Sequence, residues 1–199
     1  MTHLRFALVT VCAGVLPFGA LACPTGADLD SVGIVFTVDG EPEVHSRAPN
    51  GFIVIDTAPD ETGTSGRQVL AHGVHVLHLS DWLEGSLVEG SVWRFSFAEP
   101  VLSLPTPTPD KVWTVESTAF EGFFDGTVEV ITHTWGPSEP YKIGGCSYSV
   151  IPVQATYDGD NYDHVEDLLY FPDLGTAILT RYSDSEGTDT YTYTDIRVQ

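Results

Sequence analysis

The sequence predicts an all-β fold, a single antiparallel meander of about ten strands forming a curved sheet, half-barrel or sandwich, on three observations. β-Branched and aromatic residues fall in short alternating runs, Gly-containing turn dipeptides separate those runs, and no amphipathic stripe of period 3.6 follows the first residues. Hydrophobic residues make up 42% of the 199, with ten Phe, eight Tyr and four Trp, enough for one sizeable core. One face of a flat sheet cannot bury all of this, so the sheet must curl on itself or meet a second sheet.

The first element is a leader. Arg5, the apolar run Phe6 to Leu16, Pro17 and then Ala20-Leu21-Ala22 before Cys23 read as a cleavable export signal over residues 1–22. Its apolar part is too short to span a bilayer. Residues 23–199 then form a single all-β domain destined for the periplasm or for secretion. Cleavage would leave Cys23 first, with two fates open to its sulfur. One is a lipid anchor, although the place three residues ahead, where that pathway favours Leu, holds Ala20. The other is a disulfide with Cys146, the remaining cysteine once Cys12 has left with the leader. Closing so long a loop is worth about 4–5 kcal/mol in the chain-entropy description. No Cys-x-x-Cys pair points to redox chemistry.

Strands are expected over Val32–Val38, Phe52–Thr57, Val69–Leu79, Leu87–Phe97 and Val112–Ser117, then Val128–Trp135, Ser147–Tyr157, Leu168–Phe171, Thr176–Tyr182 and Thr190–Val198. Asp39-Gly40, Asn50-Gly51, Asp125-Gly126 and Asp158-Gly159 supply hairpin turns, since Gly and Asx residues tolerate positive φ. Phe52-Ile53-Val54-Ile55 is apolar on both faces and should be central. In Trp93-Arg94-Phe95-Ser96-Phe97 the alternation sets three rings on one side of the sheet. Asp163–Leu169 is the place for a turn of helix. Pro100 to Pro109 carries four prolines, which cannot donate ladder bonds, and reads as a crossover at 100–109 inside one domain.

Eight basic residues against 28 acidic ones give a net charge of −20. That excludes nucleic acid, which is held by clustered Lys and Arg, and an anionic membrane surface. Without lipid on Cys23 the chain has no membrane signal beyond the leader. The charge itself reads as a solubility device or an adaptation to salty surroundings, with divalent cations or cationic partners as the other openings.

A resemblance enters in the second half. Trp93-Arg-Phe-Ser-Phe97, Leu104-Pro105, Trp113, Gly144-Gly145, Tyr148-x-Val150-x-Pro152-Val153 and Tyr170-Phe171-Pro172-x-Leu174-Gly175 occur in that order. The pattern, over about residues 92–182, resembles exported bacterial β-rich proteins of unknown function with a curved half-barrel similar to lipoprotein carriers. The resemblance implies a half-barrel in the envelope of a Gram-negative bacterium and brings no catalytic residues.

Candidate sites are few. His72-x-x-His75-x-x-His78 lies in a strand pattern, which would point His72 and His78 one way and His75 the other unless Gly73 marks a bulge. Three ligands on one flat strand cannot converge on zinc. Asp158-Gly-Asp160-Asn161-Tyr-Asp163 offers oxygen ligands but fails the EF-hand spacing, and with Asp184-Ser-Glu186-Gly187-Thr-Asp189 it reads as a solvated acidic turn. Nucleophile-elbow, zincin, phosphate-loop and dinucleotide signatures are missing. No catalytic, cofactor-binding or metal-ligating residue is assigned, and the chain is not expected to be an enzyme. Two functions remain. One is a binding module for an apolar or amphiphilic ligand lined by Trp93, Phe95 and Phe97. The other is an accessory protein contacting a cell-envelope protein through a sheet edge or exposed patch.

Overall fold

The computed structural model describes residues 22–122, 126–159 and 163–199; the leader up to residue 21 and the turn residue Asp125 lie outside them. A short helix, α1 (Gly26–Leu29), precedes β1 (Ile34–Val38), β2 (Glu41–Arg47), β3 (Ile53–Thr57), β4 (Thr64–Ala71), β5 (His75–Leu83), β6 (Ser86–Leu87) and β7 (Trp93–Phe97). After a 3-10 turn at Val101–Ser103 come β8 (Lys111–Glu121), β9 (Thr127–Trp135), β10 (Glu139–Ile143) and β11 (Cys146–Gly159). The chain finishes with β12 (His164–Phe171), β13 (Thr176–Ser183), β14 (Thr188–Thr190) and β15 (Tyr193–Val198).

These strands form one antiparallel sheet in the order β14-β13-β12-β11-β9-β8-β7-β5-β4-β3-β2-β1-β15, with β10 beside β11 and β6 beside β5. Chain neighbours are almost everywhere sheet neighbours, as a meander requires. The sheet curls, and its edge strands β14 and β15 are consecutive in the chain. No ladder between described strands closes it into a barrel.

Among the described residues fifteen strands replace the expected ten: β2 and β10 have no counterpart among the expected runs, and the runs Val69–Leu79, Leu87–Phe97 and Thr190–Val198 are each divided in two. Val69–Leu79 breaks at His72-Gly73, where φ is +52° and +73°; a β-branched or bulky residue seldom enters that region, and here a histidine does. Leu87–Phe97 contains β6 and β7 with a turn between them. Asp163–Leu169 is strand, not helix, since it is drawn into ladders with β11 and β13. The proline-rich segment joins β7 to β8, which pair with one another, so it is the embellished loop of a hairpin and not a crossover. Its Leu104 is 2% exposed and plugs the sheet from one side. Of the expected turns, Asp39-Gly40 adopts positive φ at both residues, and Gly51 at +87° follows Asn50. Strand β3 is central, between β2 and β4, with Ile53 and Ile55 buried and Val54 half-buried.

The curl encloses two cores. The first gathers Leu29, Ile34, Phe36, Ile53, Phe171 and Leu174 with the N-terminal part of β11. Rings pack edge-on to Phe171 from Tyr141 and Tyr148, and Cys23 bonds to Cys146 beside them with Cα atoms 5.6 Å apart. Tyr148 also donates its hydroxyl to Pro24 O at 3.0 Å, so bridge and hydrogen bond together fasten the start of the domain. The second core is built on Val115, Ile131, Trp135, Val153, Tyr157 and Leu168.

Strand β11 serves both. Through Val150 it pairs with β10, and from Val153 onward with β9. Pro152 falls at the exchange, where a residue without N–H is tolerated.

Candidate functional site

At the open end of the second core seven strands, β5, β7, β8, β9, β11, β12 and β13, surround a partly open cavity of about 480 Å³. One wall is apolar, made by Val76 and Leu79 of β5 and by Trp93 and Phe95 of β7. Trp93 is 37% exposed, so it belongs to both the wall and the outer surface. Phe97 stands apart, packed against the second core with its ring 6.2 Å from His75. Two of the three aromatic residues singled out from the alternation therefore reach the cavity.

The opposite wall is polar and aromatic. Alternation places Glu129 in phase with Ile131, His133 and Trp135 on the inner face of β9, and His164 and Glu166 in phase with Leu168 and Tyr170 on β12. Glu129, Tyr157, His164, Glu166 and Tyr182 meet at the cavity. The Tyr157 hydroxyl donates to Glu166 Oε2 at 3.1 Å. The His164 ring stacks on Tyr157 at 3.9 Å and 11° and lies 5.3 Å from Tyr182.

Burial dominates the electrostatics. It raises Glu166 to about 7, against the opposing hydrogen bond from Tyr157 and with added repulsion from Glu129. Glu166 nonetheless keeps 18% of its side-chain surface exposed, as expected of a group on a cavity wall. Glu129 is raised by the same cause, against an opposing hydrogen bond from Ser117 across the ladder. Desolvation holds His164 down to about 4 despite Asp184 and Asp163, and lifts Tyr157 well above its ordinary 10. Two carboxyl groups thus face an aromatic box, and among the described residues no Lys or Arg lines the cavity.

The histidine motif is dispersed. His72 occupies the β4–β5 turn, and a bulge in the ladder separates the pairings of Val76 and His78. His78 pairs in register with Arg94, and burial with that charge lowers its pKa. His75 turns inward instead, where Nε2 donates to Pro105 O at 2.8 Å. Its ring stands 5.0 Å from that of His133, which stacks on Trp113 at 5.5 Å. Burial depresses His75 to about 4 and His133 to about 3. Among the described residues no group of three or more His, Cys, Asp or Glu has the geometry to hold a metal ion.

Of the two acidic segments, Asp184–Asp189 contains a turn, whereas Asp158-Gly159, expected as a hairpin turn, is the end of β11, drawn into its ladder with β9. Asp184 Oδ1 accepts from the amides of Glu186 and Gly187 at 2.8 and 3.1 Å. Asp163 Oδ1 accepts from Gly159 N at 3.1 Å; Asp160 and Asn161 lie outside the described residues.

No protein-family model matches the chain, and no curated protein or solved structure is similar to it. Among the described residues no helix is long and apolar enough to cross a membrane. The functional reading therefore rests on the cavity.

Proposed function

We propose that this is an exported, acidic, non-catalytic binding module of the periplasm or extracellular space of a Gram-negative bacterium, which holds an apolar or amphiphilic small molecule in the cavity of its curved sheet. The observation that carries the reading is the cavity itself. About 480 Å³ lies within the roughly 300–1,000 Å³ usual for small-molecule sites, and an apolar wall facing a few polar groups is their usual chemistry. The disulfide Cys23–Cys146 supports a compartment that permits such bonds. It also supports a domain without a lipid anchor, because the Cys23 sulfur is already bonded.

The accessory reading is favoured by a different observation. Val112, Val128 and Val130, at 67%, 50% and 42% exposure, lie on the outer face of β8 and β9. They alternate there with Thr114, Glu116 and Thr132, which breaks the patch and leaves the cavity as the stronger claim.

The test is a titration of the oxidised protein with the apolar fluorophore N-phenyl-1-naphthylamine, beside an Ala119→Trp variant. Ala119 is on the cavity wall, so a larger side chain fills it. One saturable site in the wild type, lost in the variant, is the expected result. Equal binding by both, or binding by neither, overturns the proposal.

A further inference from the structure

We propose that the polar end of this cavity receives an organic ammonium group, so that the ligand is an amphiphilic cation with its apolar body along Trp93 and Phe95 and its charged head between Glu166, Glu129 and the rings of Tyr157 and Tyr182. The inference rests on the cavity reading and narrows its ligand.

Three features carry it. First, two carboxyl groups on different strands face one enclosed space, and no basic side chain among the described residues lining it compensates them. The cations nearest in sequence are engaged elsewhere: Arg181 pairs with Asp167, and Arg94 donates to Gly122 O. An uncompensated buried carboxylate is costly, and a cationic guest removes that cost. Second, Glu129 Oε1 is buried, and the neighbour that favours its charged form is the Ser117 hydroxyl opposite it on β8, not a cation. Third, the polar end is lined by the aromatic residues Tyr157, His164 and Tyr182, with His164 stacked flat on one face of Tyr157. Desolvated aromatic faces attract ammonium groups, most clearly quaternary ones. A fatty acid or other anion meets the same two carboxylates and a net charge of −20, and is disfavoured.

The geometry also sets a pH dependence. Glu166 is faced by Glu129 from β9, Tyr157 from β11, His164 on its own strand and Tyr182 from β13, with Tyr191 from the β14–β15 link acting on it electrostatically. Tyr157 and Tyr191 are raised above 10 and stay neutral, and His164, near 4, is also neutral above pH 6. Glu166, near 7, changes charge between pH 6 and 8, and Glu129, also raised by burial, acts in the same direction. A permanent cation therefore binds more tightly as pH rises through that window, while a neutral ligand of the same shape is indifferent to it.

Calorimetric titration of the oxidised protein with decyltrimethylammonium, decanol and decanoate, below their micellar concentrations, tests this. The cation should bind at least tenfold more tightly than the alcohol at pH 8, lose most of that advantage by pH 6, and lose it at both pH values in Glu166→Gln. Glu129→Gln should weaken the cation by a smaller factor, and an unchanged circular dichroism spectrum in both variants reports an intact fold. Lysophosphatidylcholine as a fourth ligand separates a lipid headgroup from a free amine as the source, and either one binding with the same pH and variant dependence supports the proposal. Equal affinity for alcohol and cation, or a cation affinity unmoved by both substitutions, overturns the cation inference and leaves the cavity reading standing. Binding of none of the ligands overturns both.

Discussion

The two cores of this sheet treat their buried polar groups in opposite ways. In the first, His45 is fully buried, yet its Nδ1 meets the Thr176 hydroxyl and its Nε2 meets Glu43, both at 2.8 Å. Glu43 in turn accepts from Tyr193 at 3.2 Å. In the second, His75 Nδ1, His133 Nδ1 and Trp135 Nε1 are buried without protein partners. Satisfied groups specify a tight core, whereas unsatisfied ones mark a place where stability has been given up, commonly for function. The disulfide closes the satisfied core and the cavity opens from the other.

The largest effect should come from cutting the bridge. Replacing Cys23 and Cys146 together by serine is expected to cost about 4–5 kcal/mol, a fall of roughly 10–20 °C in the calorimetric midpoint for a domain of this size. A loss below about 1 kcal/mol would show that the first core holds the chain start without it.

A paired truncation sharpens the contrast. Phe171, wholly buried among aromatic neighbours, should cost about 3–5 kcal/mol on Phe171→Ala. Phe95, half-buried on the cavity wall, should cost about 1 kcal/mol or less on the same change, while weakening uptake of the apolar probe. Denaturant titration of both variants decides, and similar losses would erase the distinction between a filled core and an open one.

The smallest effect near neutral pH is electrostatic, and it grows as the solution is acidified. His133 is held to about 3 in the folded protein against about 6.5 unfolded, so the unfolded chain binds more protons between those values. Stability from this residue is complete above pH 6.5 and is lost as pH falls, at about 1.4 kcal/mol per pH unit. Glu166, raised to about 7, works with the opposite sign, its folded form favoured below that pH. The difference between wild type and His133→Gln isolates the histidine. Its stability gap should shift toward the variant as pH drops from 6.5 to 4, and parallel curves would mean that water reaches the ring.

Much of the fold could be read from local chemistry. Alternation found most of the strands, though not the polar β2 and β10, and Asp39-Gly40 found its turn, because both depend on residues close together in sequence. The His72-Gly73 turn was hidden, since histidine at positive φ has no composition signal and the flanking valines suggest continuity. The cavity was half legible. Trp93 and Phe95 stood out by alternation, but their opposite wall comes from strands far along the chain. A signal was nevertheless present: Glu129, His164 and Glu166 fall in phase with apolar neighbours, and an acid on an inward register asks for an explanation. The meeting of His75 with His133 left no such trace, because only strand order brings them together.

Strand β11 joins the bridge to the cavity as a single rod. Cys146 is at one end and Tyr157 near the other, roughly 35 Å apart at the rise of an extended strand. A strand that slips by one residue turns every side chain over, which would present Thr156 or Asp158 where Tyr157 now stands. The disulfide therefore anchors the same strand whose far end supplies the Tyr157 wall of the cavity, while the ladders with β9 and β12 hold its register.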